Sequence, residues 1–80
     1  MSSPRNRAEW EASVIAGAST FSACVFLGRA QFATTRDLPT ADAAREEGKR
    51  LCALHGKAVA MIYAITKDGT STHMENVICK

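Results

Sequence analysis

Apolar and polar residues alternate along the first half of the chain, and this period of two predicts β-strands. In residues 20–27, one side carries Phe21, Ala23, Val25 and Leu27, and the other carries Ser22, Cys24 and Phe26. Gly28 and Arg29 predict a two-residue type II′ turn, because Gly tolerates the positive φ that its first position requires. A second strand, roughly residues 30–35, is then expected to pair antiparallel with the first and to place Phe32 in the core.

Residues 37–55 have the spacing of an amphipathic helix. Its apolar face is expected to consist of Leu38, Ala41, Ala44, Gly48, Leu51 and Cys52. Asp37 is the predicted N-cap, with Thr40 as a competing cap one turn later, and Gly56 is expected to end the helix in a left-handed conformation. Gly48 costs about 1 kcal/mol relative to Ala in a helix interior. Its place on the apolar face predicts close packing of this helix on a sheet.

Residues 57–66 are apolar on both sides of an extended chain. One side carries Val59, Met61, Tyr63 and Ile65, and the other carries Ala58, Ala60, Ile62 and Ala64. A strand with two apolar sides is typical of the centre of a sheet. Asp68 and Gly69 then predict a type I′ hairpin turn, and residues 71–78 are predicted to return as the last strand.

These elements predict one α+β domain in residues 19–80, in which a ββαββ unit forms a four-stranded, mainly antiparallel sheet with one helix on one face. Residues 1–18 are a separate N-terminal segment. A helix capped by Ser3, with Trp10 and Val14 on one side, fits this segment slightly better than a strand over residues 10–14. The second face of the sheet is predicted to need cover from this segment or from a second copy of the chain.

Length and composition limit the possible classes of protein. A chain of 80 residues buries only about 60% of its unfolded surface, so its core needs efficient packing or a partner. Hydrophobic residues make up 46% and charged residues 22% of the chain, which excludes a wholly disordered protein. The stretch between Glu11 and Arg29 has no charge, but its Ser, Thr and Gly residues disfavour a membrane span. The two acidic residues before it disfavour a signal peptide.

The cysteine pattern predicts a location and limits the chemistry. Cys24, Cys52 and Cys79 are odd in number and form no C-x-x-C pair, which predicts reduced thiols in a cytoplasmic protein. Cys52 and His55 are the only local pair of possible metal ligands, whereas a zinc site usually has two pairs. We therefore expect no metal or other cofactor. Apolar surroundings raise the pKa of a thiol, so a cysteine nucleophile is not expected either.

No acid–base pair and no complete phosphate-binding loop appear in the sequence, so the chain is predicted not to be an enzyme. The favoured function is a small interaction or regulatory protein that self-associates or docks on a protein partner through its incompletely covered sheet. The residues predicted to bind the partner are Trp10, Phe26, Tyr63 and Met74.

The alternative is a small nucleic-acid-binding regulatory module. Its predicted phosphate contacts are Arg29, Arg36, Arg45, Lys49, Arg50 and Lys57. A net charge of +2 and only five aromatic residues (Trp 1, Tyr 1, Phe 3) give this alternative little support. The same cations fit a solvated face better, and an enzyme ranks last.

Overall fold

The computed structural model describes residues 7–79. Its elements, in chain order, are α1 (Arg7–Ala16), β1 (Ala18–Gly28), β2 (Gln31–Leu38), α2 (Ala41–His55), β3 (Val59–Thr66) and β4 (Ser71–Ile78). The strands form one four-stranded antiparallel sheet in the order β2-β1-β3-β4. The predicted α+β fold is confirmed, and β3 is a central strand, as its two apolar sides predicted.

The core lies between α2 and the sheet, where α2 crosses the two central strands. The helix begins after Thr40, whose side chain accepts a hydrogen bond from the backbone N–H of Ala43 at 3.0 Å. It ends at Gly56, which has a left-handed φ of 67°. The buried residues of the helix are Ala44, Gly48, Leu51 and Cys52. All of them except Gly48 share one core cluster with Ala23, Val25, Ala60, Ile62 and Val77.

Helix α1 confirms the favoured interpretation of the N-terminal segment, and the alternative strand is wrong. The helix contacts β3 and β4, with Val14 buried and Trp10 partly buried. Both side chains line a hollow beside the β3–β4 turn. The predicted Ser3 cap lies outside the described residues.

Asp37 does not begin α2, contrary to the prediction. It belongs to β2, where it has a φ of 61°. Arg36 and Asp37 together lie opposite Ser22 as a β-bulge. The residue before a proline disfavours the helical conformation, so Leu38, which precedes Pro39, stays extended and a helix can start only beyond it. The competing cap, Thr40, is therefore the one that the chain uses.

The turn between β1 and β2 consists of Arg29 and Ala30, not Gly28 and Arg29. Both residues have positive φ, 53° and 60°, which is the pattern of a type I′ turn. A register shift at Leu27, the extra residue of β1 between Phe26 and Gly28, then pairs Phe26 with Phe32 across the two strands. An aromatic cross-strand pair stabilises a hairpin, and the predicted turn would have placed Gln31 opposite Phe26 instead.

The β3–β4 hairpin forms where it was predicted, but its turn is not type I′. Neither Lys67 nor Asp68 has positive φ, whereas Gly69 has a φ of 93°. Thr66 accepts from the N–H of Gly69 at 3.0 Å and donates its own N–H to the carbonyl of Thr70 at 2.8 Å. This is a three-residue loop with a left-handed Gly at its end. Asp68 accepts hydrogen bonds from Thr66 and Thr70, which explains its preference for this turn.

Cys52 and Cys79 form a disulfide with a Cα–Cα distance of 6.4 Å. The prediction of three reduced thiols is therefore wrong for this pair, and Cys24 is the free cysteine. Local sequence spacing could not show the pairing, because β4 brings the end of the chain back to the last turn of α2. A hydrogen bond of 2.7 Å from the N–H of Cys79 to the carbonyl of Ala58 holds this end beside β3.

Candidate interaction surface

The face of the sheet that points away from α2 is here named the open face. Alternation along the paired strands assigns to it Thr20, Ser22, Cys24 and Phe26 of β1, Phe32, Thr34 and Arg36 of β2, Val59, Met61, Tyr63 and Ile65 of β3, and Ser71, His73, Asn76 and Ile78 of β4. The core cluster contains none of these residues. Helix α2 therefore packs on the opposite face of the sheet, as the sequence predicted.

One end of the open face is aromatic and exposed. Phe26 and Phe32 are 49% and 51% exposed, respectively, although they contact each other with ring centroids 5.2 Å apart. Val59 and Ile78, which pair at the start of β3, are also exposed. Large apolar side chains grouped in this way on a small protein are typical of an interaction surface.

The open face is concave from Phe32 to the β2 bulge and the β3–β4 turn. A hollow of about 540 Å³ is lined by Thr20, Ser22, Cys24, Phe32, Thr34, Arg36, Asp37, Tyr63, Ile65, Gly69 and Ser71. Hydroxyl groups alternate there with the apolar surfaces of Tyr63 and Ile65. The lining residues come from all four strands, the β2 bulge and the β3–β4 turn, so the hollow is a feature of the sheet itself.

The β4 margin of the open face is polar and ordered by contacts between side chains. His73 lies edge-on to Tyr63, with ring centroids 5.6 Å apart. Its Nε2 atom lies 2.7 Å from Oδ1 of Asn76. These contacts hold the Tyr63 ring on the open face, where its position was predicted.

The helix side carries most of the ion pairs among the described residues. Arg45 donates two hydrogen bonds to Glu75, at 2.9 and 2.8 Å, and a third to Asp42 at 2.6 Å. The hydrogen bonds to Glu75 and Asp42 raise the pKa of the Arg45 guanidinium. In return, Arg45 lowers the pKa of Glu75. The ion pair between Arg45 and Glu75 therefore connects the edge strand β4 to α2.

A second ion pair lies within α2, and a hydrogen bond from Thr35 connects it to β2. Arg50 donates to both carboxylate oxygens of Glu47, and the hydroxyl of Thr35 donates to one of them at 2.7 Å. The hydrogen bonds from Arg50 and then from Thr35 lower the pKa of Glu47 to about 2. Lys49 lies 3.6 Å from Glu46 in a looser pair on the same helix.

The structure does not gather the six cations predicted to contact nucleic acid. Arg45, Lys49 and Arg50 are each paired with an acidic residue, as described above. Arg29 lies in the β1–β2 turn, Arg36 in the β2 bulge and Lys57 after α2, and none of these three has an ion pair with the described residues. Lys49 and Lys57 line one hollow beside Cys52 and Cys79, and the remaining phosphate contacts would have to come from separate places.

Of the four residues predicted to bind a partner, the structure places Phe26 and Tyr63 on the open face but apart, because Tyr63 lies opposite Ser22, four residues along β1 from Phe26. Trp10 lines the hollow beside α1, and Met74 lies at a β4 bulge, packed against the core. Sequence reasoning missed Phe32, which was assigned to the core. The period of two from Phe32 through Thr34 to Arg36 would have placed it on the open face.

The cysteines considered as nucleophiles or metal ligands are buried or paired. Cys24 is buried, and burial raises the pKa of its thiol, which disfavours a reactive thiolate. Cys52 is held in the disulfide and cannot bind a metal together with His55. Among residues 7–79, no three His, Cys, Asp or Glu side chains lie close enough together to hold a metal ion.

No protein-family model matches this chain, and comparison with curated proteins and with solved structures likewise gives no match. Neither helix in the described part of the chain is long and apolar enough to cross a membrane.

Proposed function

We propose that this chain is a small, non-enzymatic interaction protein that self-associates by packing its open face against the open face of a second copy. The observation that carries the proposal is the half-exposed aromatic pair, Phe26 and Phe32, on a sheet face that α2 does not cover. Full burial of a Phe side chain contributes about 1.5–3 kcal/mol, so a partner surface that covers this pair is strongly favoured.

The area of the face is sufficient for a weak, specific dimer. Four strands about 4.8 Å apart and eight residues rising about 3.3 Å each give a face of about 500 Å² per copy. Two copies would bury about 1,000 Å², at the lower limit for a specific interface. We therefore expect reversible association, with a dissociation constant on the order of micromolar.

The edges of the sheet are poorer surfaces for association than its face. The edge strand β2 is interrupted by the Arg36–Asp37 bulge, and the edge strand β4 by a bulge at Met74. A bulge breaks the regular row of N–H and C=O groups that an added strand needs. Packing through the face avoids both interruptions.

The charge of the open face permits contact between identical copies. Arg36 and Asp37 are adjacent in the β2 bulge and line the same hollow. Their charges cancel, so two open faces do not repel each other as two basic or two acidic faces would. A nucleic-acid partner is less favoured, because Arg45, Lys49 and Arg50 are neutralised by ion pairs on the helix side.

The predicted cytoplasmic location stays a prediction, and its main argument is weaker. It depended on three reduced thiols, whereas Cys52 and Cys79 form a disulfide. Disulfides are typical of oxidising compartments. A regulatory role that depends on the equilibrium between monomer and dimer is compatible with the cytoplasm and with an oxidising compartment.

Light scattering coupled to gel filtration tests the proposal. The molar mass of the wild-type chain should rise towards that of two copies with increasing concentration. Phe32→Asp should remain a single copy, because it places an unpaired charge in the interface. Phe32 is half-exposed on an edge strand, so circular dichroism of this variant should match the wild type.

Leu54→Asp is the matched control. Leu54 is 64% exposed on α2, away from the open face, and its substitution adds the same charge in place of an apolar residue. It should associate like the wild type. A wild-type chain that stays monomeric at every concentration, or equal loss of association in both variants, would overturn the proposal.

A further inference from the structure

We infer that the two copies are related by a two-fold axis that runs across the strands, so that the Phe26–Phe32 pair of each copy enters the hollow of the other. This inference rests on the proposed self-association and adds its geometry. The observation behind it is that the half-exposed aromatic pair, which we call the protrusion, and the hollow lie on the same face of the sheet.

The Cys24–Thr34 pair lies in the lining of the hollow, next to Phe32, which belongs both to the aromatic pair and to this lining. Along the β1–β2 ladder, Phe26 and Phe32 pair two residues to one side of it. Ser22 and the β2 bulge lie two residues to its other side. A two-fold axis that crosses the strands at this pair exchanges the two ends, so the protrusion of one copy meets the hollow of the other.

The chemistry of the hollow suits an aromatic ring. Tyr63 and Ile65 offer apolar surface on its β3 side. Arg36 lines its β2 side and has no ion pair with the described residues, so its guanidinium is available to stack on Phe32 of the second copy. The loss of a cation–π contact of this kind at a partly exposed site is expected to weaken association about two- to fivefold.

The other face-to-face arrangements fill the surface less well. A two-fold axis parallel to the strands would reverse the strand order but keep each end of the sheet over the same end of the other copy, so the exposed apolar ends would meet each other and hollow would face hollow. Two hollows of about 540 Å³ each would then remain without protein contacts. Interfaces of stable assemblies are packed as densely as protein interiors, so this arrangement is disfavoured.

The proposed axis places Thr34 of one copy directly over Thr34 of the other, because the strand order is retained while the strand direction is reversed. Packed sheets lie about 10 Å apart, so cysteine side chains at this position would be within reach of a short cross-linker. Thr34 is exposed in the single chain, and its replacement leaves the core unchanged.

Cross-linking with a short bismaleimide tests the geometry. Thr34→Cys is made together with Cys24→Ser, which removes the other free thiol, while Cys52 and Cys79 are protected in their disulfide. Leu54→Cys in the same Cys24→Ser chain is the control for random collision. We expect the Thr34→Cys chain to form covalent dimers at least tenfold faster than the control.

Light scattering on the same samples separates the two claims. If two copies associate but Thr34→Cys cross-links no faster than Leu54→Cys, the two-fold arrangement is wrong and self-association stands. If the chains do not associate and no rapid cross-link forms, both claims fail. Arg36→Met adds a second measurement: it should weaken association several-fold, and an unchanged dissociation constant would contradict entry of Phe32 beside Arg36.

Discussion

A Cβ atom added to Gly48 of α2 would lie 3.0 Å from the Cβ atom of Ala60 in β3. The helix therefore approaches a central strand so closely that the site accepts no side chain without movement. Gly48→Ala gains about 1 kcal/mol of helix propensity but overpacks the core at a cost of about 1–3 kcal/mol. We expect a net loss of about 1 kcal/mol in the free energy of unfolding, measured by urea denaturation.

Ala60→Gly is the second substitution for this test, because it removes the methyl group that a Cβ atom at Gly48 would meet. It should destabilise the Gly48→Ala chain less than it destabilises the wild type, which a double-mutant cycle measures directly. A higher urea midpoint for Gly48→Ala alone would contradict the close packing.

The disulfide between Cys52 and Cys79 should contribute strongly to stability. It links residues separated by 27 positions, and a closed loop of that length is expected to stabilise a fold by about 3–4 kcal/mol. Cys79→Ser should lower the thermal midpoint, and adding dithiothreitol to the wild type should lower it equally. Cys24→Ser should keep the response to the reductant, and a wild-type chain indifferent to dithiothreitol would contradict the pairing.

Stability should fall in acid partly because of Glu47. Its pKa in the folded chain is about 2, below the ordinary value of 4.5. The ionised form is therefore favoured by folding, and its contribution is complete above about pH 4.5 and is lost as the pH falls towards 2. Urea midpoints measured across this range should fall, and Glu47→Gln should flatten the decrease.

Glu46→Gln, one residue earlier, is the control for Glu47. The Glu46 side chain is 77% exposed and only loosely paired with Lys49. This variant should keep the acid dependence of the wild type. If both variants follow the wild-type curve, Arg50 and Thr35 do not stabilise the Glu47 carboxylate.

The β1–β2 turn offers a stabilising substitution. Ala30 has a φ of 60°, a left-handed conformation that costs an L-residue about 1–2 kcal/mol. Ala30→Gly removes this cost but raises the entropy of the unfolded chain, so the expected gain is about 0.5–1 kcal/mol in urea unfolding. Ala53→Gly, at an exposed position of α2, should instead lose about 1 kcal/mol.

The sequence predicted the sheet well, because its central strands have a strong local signal. A run such as β3, with Ala60 and Ile62 on one side and Met61 and Tyr63 on the other, has few stable arrangements besides a strand covered on at least one face. The Gly48 contact was predictable for a similar reason, since a costly residue on an apolar helix face needs a packing explanation.

The wrong predictions concern residues whose conformation, pairing or exposure is set by another residue, either a close neighbour or one far along the chain. Asp37 is a good cap in isolation, but Pro39 keeps the residue before it extended. The Cys52–Cys79 pairing and the shape of the hollow depend on how β4 returns and where β2 bulges. Exposure of Phe32 likewise depends on the register of β1 and β2, which a two-residue turn can shift.

The strand order β2-β1-β3-β4 also sets the order in which the molecule can fold. Each hairpin involves only sequence neighbours and can close within about 1–10 μs. The β1–β3 seam joins them only after the whole of β2 and α2 has been synthesised and collapsed, and such distant pairing is slow. On a ribosome, the first hairpin would therefore wait with the β3-pairing edge of β1 uncovered until the second hairpin arrives, which makes this seam the step most exposed to aggregation.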